Sequence, residues 1–333
     1  MADVSVVIVN WNGLEELKGC LESLRSCGRA LELIVVDNGS QDGSVAYLRE
    51  QADIRTIENA YNTGYAPANN QGIAQASAEF VLLLNNDARV TPGFLEPMLQ
   101  AMREGLDVGA CQTRLLTTDE PPRVDGLGSY LTWTGFLYHY RYGKPDPGTG
   151  PPFEIFAAKG AAMIIRRAAL EQVGAFDADF FAYLEDSDLS WRIWLGGWRI
   201  LCVPAALVFH RAGVTARRLP SALVTFHSFK NRLCMLLKNP APSSAWRILP
   251  LHLALMLLLV LVEVVRGRPG AAGAIVRALG WNLHRLPQTL RKRREVQRRI
   301  RRVSDRGLRP RLWRRVRPSY YYYLWTDLSR YRD

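Results

Sequence analysis

Four apolar residues in succession, Val81-Leu82-Leu83-Leu84, run without a break into Asn85-Asn86-Asp87. No polar alternation interrupts the run, so the strand it forms must be covered on both faces, as strands inside a parallel sheet are. In an open α/β sheet, ligands sit just beyond the carboxyl ends of the strands. A carboxylate placed there beside two amides suits a hard cation such as Mg2+ or Mn2+ carried in with a phosphate. Asn and Asp also favour turns, so these three residues alone do not separate a site from a strand-ending turn.

The preceding strands shift that balance. Val4–Val9 is a first buried strand ending in Asn10-Trp11-Asn12-Gly13, followed by Leu14, Leu17, Leu21 and Leu24 at helical spacing. A second, Leu31–Val36, ends in Asp37-Asn38-Gly39-Ser40, which completes a βαβ unit and implies a parallel sheet. A third, Ile54–Glu58, runs into Asn59, Asn62, Gly64, Tyr65, Asn70 and Gly72, with a helix expected over 69–77. Three strands ending in Asn/Asp/Gly clusters on one edge make a polar crevice, where one such end is ordinary turn chemistry. No GxGxxG joins strand to helix, which argues against a dinucleotide site.

Further along, residues 117–153 carry Pro121-Pro122 and Pro145-Asp-Pro-Gly-Thr-Gly-Pro-Pro152, and read as a long irregular insertion of the lid or acceptor-loop kind. Its aromatics (Tyr130, Trp133, Phe136, Tyr138, Tyr140, Tyr142) read as packing ahead of sugar stacking. After Lys159-Gly160 comes Phe180-Phe181-Ala-Tyr183-Leu-Glu185-Asp186-Ser187-Asp188-Leu189. Three acids in four residues are unremarkable at an exposed helix start. In apolar company their pKa values rise, and one can serve as a general base. Trp198–Val203 reads as a strand and Val208-Phe209-His210 as the end of another, with His210 either structural or a ligand.

Six blocks in this order resemble the family 2 glycosyltransferases of the GT-A fold: VIVNWNG, DNGSQDGS, NTGYAPANNQG, LLLNNDARV, AFDADFFAYLEDSDLSWR and the closing His210. The resemblance covers roughly residues 4 to 215. Phe229-Lys-Asn231-Arg232 and Arg301-Arg-Val-Ser-Asp305 resemble the rhamnosyltransferase-type branch. The resemblance implies a mostly parallel Rossmann-like sheet flanked by helices, and an inverting transferase using a nucleotide-activated sugar and a divalent cation. Asp37 matches the carboxylate that reads the pyrimidine, and Asn10 and Asn12 the turn around the nucleoside. Asn62, Gly64, Asn70, Asn85, Asn86, Lys159 and Gly160 complete the expected donor site. Asp87 matches the last acid of the metal motif and His210 a position that completes the metal shell. Asp186 matches the catalytic base, with Glu185 and Asp188 supporting it. Asn85 departs from the acid that many relatives carry, so Asp87 and the diphosphate hold more of the metal. The expected reaction moves a sugar, rhamnose from dTDP-rhamnose first, to a hydroxyl of a lipid-linked or cell-surface glycan, such as a polyprenyl-linked saccharide. A UDP-hexose or UDP-N-acetylhexosamine is the alternative donor.

The chain divides by charge. Residues 291–317 hold fourteen Arg or Lys against Glu295 and Asp305, which accounts for the entire net charge of +12. The expected division is a transferase domain over 1–225 and a helical, basic region over 226–333. Ile248–Val265 is apolar except for His252 and Glu263, about the minimum length for a span. A single span would carry the Arg-rich tail across the membrane against the positive-inside tendency. The expectation is therefore a peripheral or re-entrant hairpin, with Ala271–Leu286 returning and 248–317 on anionic headgroups; a buried core helix is the other reading. Five cysteines without CxxC spacing and an opening without a signal-peptide pattern lead to the expectation of the cytoplasmic face of the inner membrane. Two other classes stay open: a nucleic-acid binder, though no recognised binding module appears around the tail, and a non-catalytic membrane protein.

Overall fold

The computed structural model describes residues 2–211, 219–326 and 328–331. Residues 212–218, at the end of the expected transferase region, lie outside the described set. The chain opens with β1 (Val4–Asn10), α1 (Leu14–Arg25), β2 (Glu32–Asp37), α2 (Ser44–Arg49), β3 (Ile54–Glu58), α3 (Tyr65–Gln75) and β4 (Phe80–Asn85). These four strands lie parallel in the order β3-β2-β1-β4, so the chain reverses its direction of travel across the sheet between β1 and β4. Asn10 pairs with Asp37 and Val9 with Asn85, so the polar strand ends fall on one edge at that reversal, where α/β folds bind ligands. Alternate residues explain the unbroken apolar runs. Val6, Ile8, Leu82 and Leu84 enter the core on one face, Val7, Val81 and Leu83 the core on the other.

The sheet continues through β5 (Ala88–Val90), α4 (Leu95–Glu104), β6 (Val108–Thr117), β7 (Val124–Gly126), β8 (Ser129–Leu131), β9 (Leu137–His139), β10 (Phe153–Glu154), β11 (Ala162–Arg166), α5 (Arg167–Val173), α6 (Glu185–Leu195) and β12 (Arg199–His210). Strand β11 enters antiparallel beside β4, and β12 lies parallel to β6, so the whole is a mainly parallel α/β sheet with helices on both faces. Three local expectations change. Helix α3 starts at Tyr65, four residues before Asn69, because Pro67 falls in the first turn, where its missing N–H has no partner to lose. The two strands expected around residues 198–211 are one strand, β12, whose register shifts between Val203 and Leu207, beside Pro204. The 117–153 insertion is not irregular throughout. It pairs β7 with the carboxyl end of β6 and folds β8 and β9 into a hairpin, with Tyr130, Phe136 and Tyr138 buried as packing groups.

Beyond β12, α7 (Ser221–Lys238), α8 (Pro242–Val265), α9 (Pro269–His284), α10 (Leu286–Glu295), α11 (Asp305–Leu312) and α12 (Pro318–Trp325) follow. Residue 225 falls inside α7, and Cys234, Leu236, Val296, Leu312 and Tyr320 share one core with the sheet. The tail is laced onto the insertion. Tyr320 Oη donates to Leu137 O at 2.7 Å, and Arg314 N to Leu131 O at 2.9 Å. Along helix α8, His252 and Glu263 are buried, while Trp246, Leu257, Leu258, Leu261 and Val265 face out. It is long and apolar enough to cross a membrane and is mostly uncovered by the protein, so it is not a core helix.

Candidate functional site

A cleft of about 760 Å³ opens over the carboxyl ends of β1 and β4. Asn62, Asn85, Asn86, Asp87, Lys159, Gly160, Glu185, Asp186 and His210 all line it. The remaining expected residues stand behind the wall. Asn86 Nδ2 donates to Asn10 Oδ1 at 2.7 Å, and Asn10 Nδ2 to Asp37 Oδ2 at 3.1 Å. Asp37 Oδ1 accepts from Ser40 N at 2.8 Å, and Asn12 Oδ1 from Gln41 N at 2.7 Å. This chain of polar side chains holds the ends of β1, β2 and β4 together. It requires Gly13, where a Cβ would meet Asn86 Nδ2 at 2.4 Å. Gly64 (φ +99°) packs under Phe181, where a Cβ would stand 2.6 Å from the ring. Asn70 binds both the N–H and the C=O of Phe176 at 2.9 Å, which makes it a clip between α3 and the segment before α6.

The Asp87 end gathers Asp87, Asp125, Lys159 and His210. His210 Nδ1 donates to Asp125 Oδ2 at 2.8 Å, a carboxylate that Lys159 Nζ also meets at 2.6 Å. Burial works against the Asp125 charge, but Lys159 and His210 outweigh it and hold the carboxyl well below its usual range. His210 Nε2 lies 3.1 Å from Asp87 Oδ1 and 3.1 Å from Asn85 Nδ2. Burial lowers the His210 pKa, yet the bonds to Asp125 and Asp87 prevail and the net shift is upward. Asp125 was not expected from sequence. It stands between Val124 and Gly126 without a motif, and only the pairing of β7 with β6 brings it here.

Across the cleft, α6 begins with Glu185 and Asp186 directly after Tyr183 (φ +72°) and Leu184 (φ +64°). Two consecutive non-glycine residues in the left-handed region are strained, and such strain persists only where surrounding contacts impose it. Asn231 from α7 supplies those contacts, donating from Nδ2 to Ala182 O at 2.8 Å and Tyr183 O at 2.7 Å. Asp186 Oδ2 accepts from Gly160 N at 3.0 Å and Oδ1 from Ser187 N at 2.6 Å. Burial nonetheless raises its pKa, and the Glu185 pKa rises well above the usual value through burial and the neighbouring Asp186. Asp188 does not join them. Two residues turn a helix by about 200°, so its carboxylate points away from the cleft. It is 0% exposed and meets Arg192 Nε at 3.0 Å, Lys238 Nζ at 2.9 Å and Asn239 Nδ2 at 2.8 Å. Its part is to hold α6 to α7.

Residues 5–174 match the Glycosyl transferase family 2 profile, half of the chain. The chain is a family 2 glycosyltransferase. The transferase is 28% identical over 255 residues, 68% of its length and 82% of the relative's, to the N-acetylglucosaminyl-diphospho-decaprenol L-rhamnosyltransferase of Mycobacterium tuberculosis. Its identity to the low-salt glycan biosynthesis hexosyltransferase Agl10 of Haloferax volcanii is 25% over 236 residues, 69% of this chain and 74% of that one. Solved structures agree on the fold. The mannosyltransferase PcManGT of Pyrobaculum calidifontis, in complex with GDP-Man and Mn2+, superposes with a TM-score of 0.52 at 20% identity, over 85% of this chain and 87% of that one. GalNAc-T7 with UDP, GalNAc and Mn2+ gives 0.57 at 16% identity, over 71% of this chain and 48% of the other.

Proposed function

We propose that the transferase moves a sugar, rhamnose from dTDP-rhamnose, onto a hydroxyl of a polyprenyl-diphosphate saccharide at the cytoplasmic membrane face, with inversion. The observation that carries the reading is one cleft with the Asn85-Asn86-Asp87 strand end on one wall and the raised carboxyl of Asp186 on the other. A UDP-hexose or UDP-N-acetylhexosamine donor is the second reading, favoured by the hexosyltransferase relative.

Asp186 takes the acceptor hydroxyl proton as the new bond forms between acceptor oxygen and anomeric carbon. The bond from that carbon to the nucleoside diphosphate breaks on the opposite face, so no enzyme nucleophile is needed. Glu185, buried beside Asp186, is held well above the usual carboxylate range by burial and by that neighbour, so the two acids resist ionising together. The amides at the strand ends orient the donor.

Among the described residues no group of three His, Cys, Asp or Glu forms a cation cage. Asp87 Oδ1 is nevertheless a buried oxygen that faces His210 Nε2 at 3.1 Å, and the Nδ1 of that ring is fixed by Asp125. That pair fits a cation whose other ligands come from the diphosphate and water. A divalent cation held by Asp87 and His210 would supply Lewis-acid charge to the departing diphosphate.

The membrane side of the reading is supported by the outward apolar face of α8 and by exposed Arg294, Arg298, Arg299, Arg302, Arg306 and Arg317. The test is a transfer assay with Mn2+, dTDP-rhamnose or UDP-sugars, and a short-chain polyprenyl-diphosphate N-acetylglucosamine. Transfer from dTDP-rhamnose with inverted product supports the reading; transfer from UDP-sugars alone selects the second; no transfer from any donor overturns both.

A further inference from the structure

Among the described residues, one cation in the cleft has no counter-ion. Lys159 is neutralised by Asp125, but among the described residues no carboxylate pairs with Arg232 of α7, and its Nε is buried without a hydrogen bond. Its guanidinium instead lies 4.5 Å from the Phe136 ring centroid and 5.7 Å from that of Phe229. Aromatic faces support a guanidinium but leave its N–H donors unused. A charge taken out of water without a partner is costly, and it persists where a ligand supplies the partner. Burial lowers the Arg232 pKa to about 10, so the group remains charged at neutral pH.

The position narrows the ligand. Arg232 lines the same cleft as Asp186, but the groups it rests on are the aromatic rings of Phe136 and Phe229, against whose cluster Leu324 also packs, rather than the strand-end amides. Phe136 and Phe229, on which it rests, pack in one cluster with Met256 of α8 and Ile275 of α9. The unpaired cation therefore stands where the polar cleft meets the helices whose outer face is apolar and uncovered. A ligand reaching it from that side carries an anionic group at the junction of a sugar and an apolar chain.

The geometry assigns Arg232 as the receptor for the acceptor's diphosphate, distinct from the donor's diphosphate at Asp87. This rests on the lipid-linked acceptor reading above. A guanidinium is suited to the role, because its planar fork matches phosphate oxygens two at a time.

The test measures binding of farnesyl diphosphate to the full chain by calorimetry, with dTDP and Mn2+ saturating so that the donor subsite is filled. Octyl β-N-acetylglucosaminide serves as the uncharged comparison and inorganic pyrophosphate as the chain-free one. Arg232→Gln is expected to weaken farnesyl diphosphate at least about tenfold, the loss typical of a charge-assisted hydrogen bond. Arg232→Lys should recover part of it, with the octyl glycoside unchanged in both. Pyrophosphate binding that falls in parallel assigns the recognition to the diphosphate itself; pyrophosphate that never binds assigns it to diphosphate and chain together. The dTDP affinity, unchanged in a folded variant, reports that Arg232→Gln has not collapsed the site. Equal farnesyl diphosphate affinity in wild type and Arg232→Gln overturns the assignment, as does an equal loss of dTDP, which would put Arg232 in the donor subsite. A wild-type chain that binds no nucleotide with Mn2+ sinks the proposed donor and cation reading instead, and farnesyl diphosphate is then compared without nucleotide.

Discussion

Neutralising Asp188 should cost the transferase stability, whereas neutralising Asp186, two residues away on the same helix, should leave the fold intact and remove transfer. Asp188 is fully buried and accepts from Arg192, Lys238 and Asn239. Removing one charge from a buried ion cluster leaves its partners uncompensated, at about 3–5 kcal/mol. Lys238 keeps Asp177 at 2.6 Å, and an asparagine still offers one acceptor oxygen, so Asp188→Asn belongs near the lower limit. At about 2–4 °C per kcal/mol for a large domain, Tm should fall by roughly 6–12 °C. Asp186 carries a charge that burial opposes, so Asp186→Asn removes a desolvated carboxylate and Tm should hold or rise. Loss of a general base is expected to slow transfer by about 10²–10⁴. Thermal unfolding at neutral pH, run beside the transfer assay and dTDP binding, separates the outcomes. Equal Tm losses in the two variants, or Asp188→Asn with wild-type Tm, refute the partition.

Three further outcomes follow from the same contacts. Asp125→Asn removes the carboxylate that orients His210, and Mn2+-dependent nucleotide binding should weaken about 10–100-fold by calorimetry, with metal-free binding little changed. Burial lets folded Glu185 hold its proton at a pH where the unfolded chain has released it, so stability should decline as pH climbs above the ordinary glutamate range. Glu185→Gln should flatten that decline in a series of Tm against pH; an unaltered slope counts against the buried acid as its source. Leu257 and Leu261 are 58% and 63% exposed on α8, and changing both to Glu should abolish co-sedimentation with anionic vesicles while leaving Tm near wild type. Vesicle binding that survives the double change would assign attachment to the arginines alone.

The parallel sheet and its polar edge were legible because buried strands and their ends are local patterns: an apolar run, then Asn, Asp and Gly. The insertion was not legible as strands, since β7, β8 and β9 are three residues each and their pairing partners lie elsewhere in the chain. Within Glu185-Asp186-Ser187-Asp188 the acids read alike, and helix phase separates Asp186 from Asp188. Asn70 reads like Asn62 but holds Phe176, because it lies one turn into α3 rather than in the loop before it. For α8, composition showed a long apolar segment; only packing turned His252 and Glu263 inward and left leucines outside.

Sequence by itself determined the family, the parallel strands and the edge on which chemistry collects, since hydrophobic period and strand-end residues act over a few neighbours. Tertiary structure decided which polar groups face one another across the cleft. Asp125 stands 85 residues from His210 and Arg232 46 from Asp186, and no local rule couples groups so far apart in the chain. The Val81–Asp87 stretch marked one wall; the opposite wall, and Arg232 beside it, came from α6 and α7 folding over it.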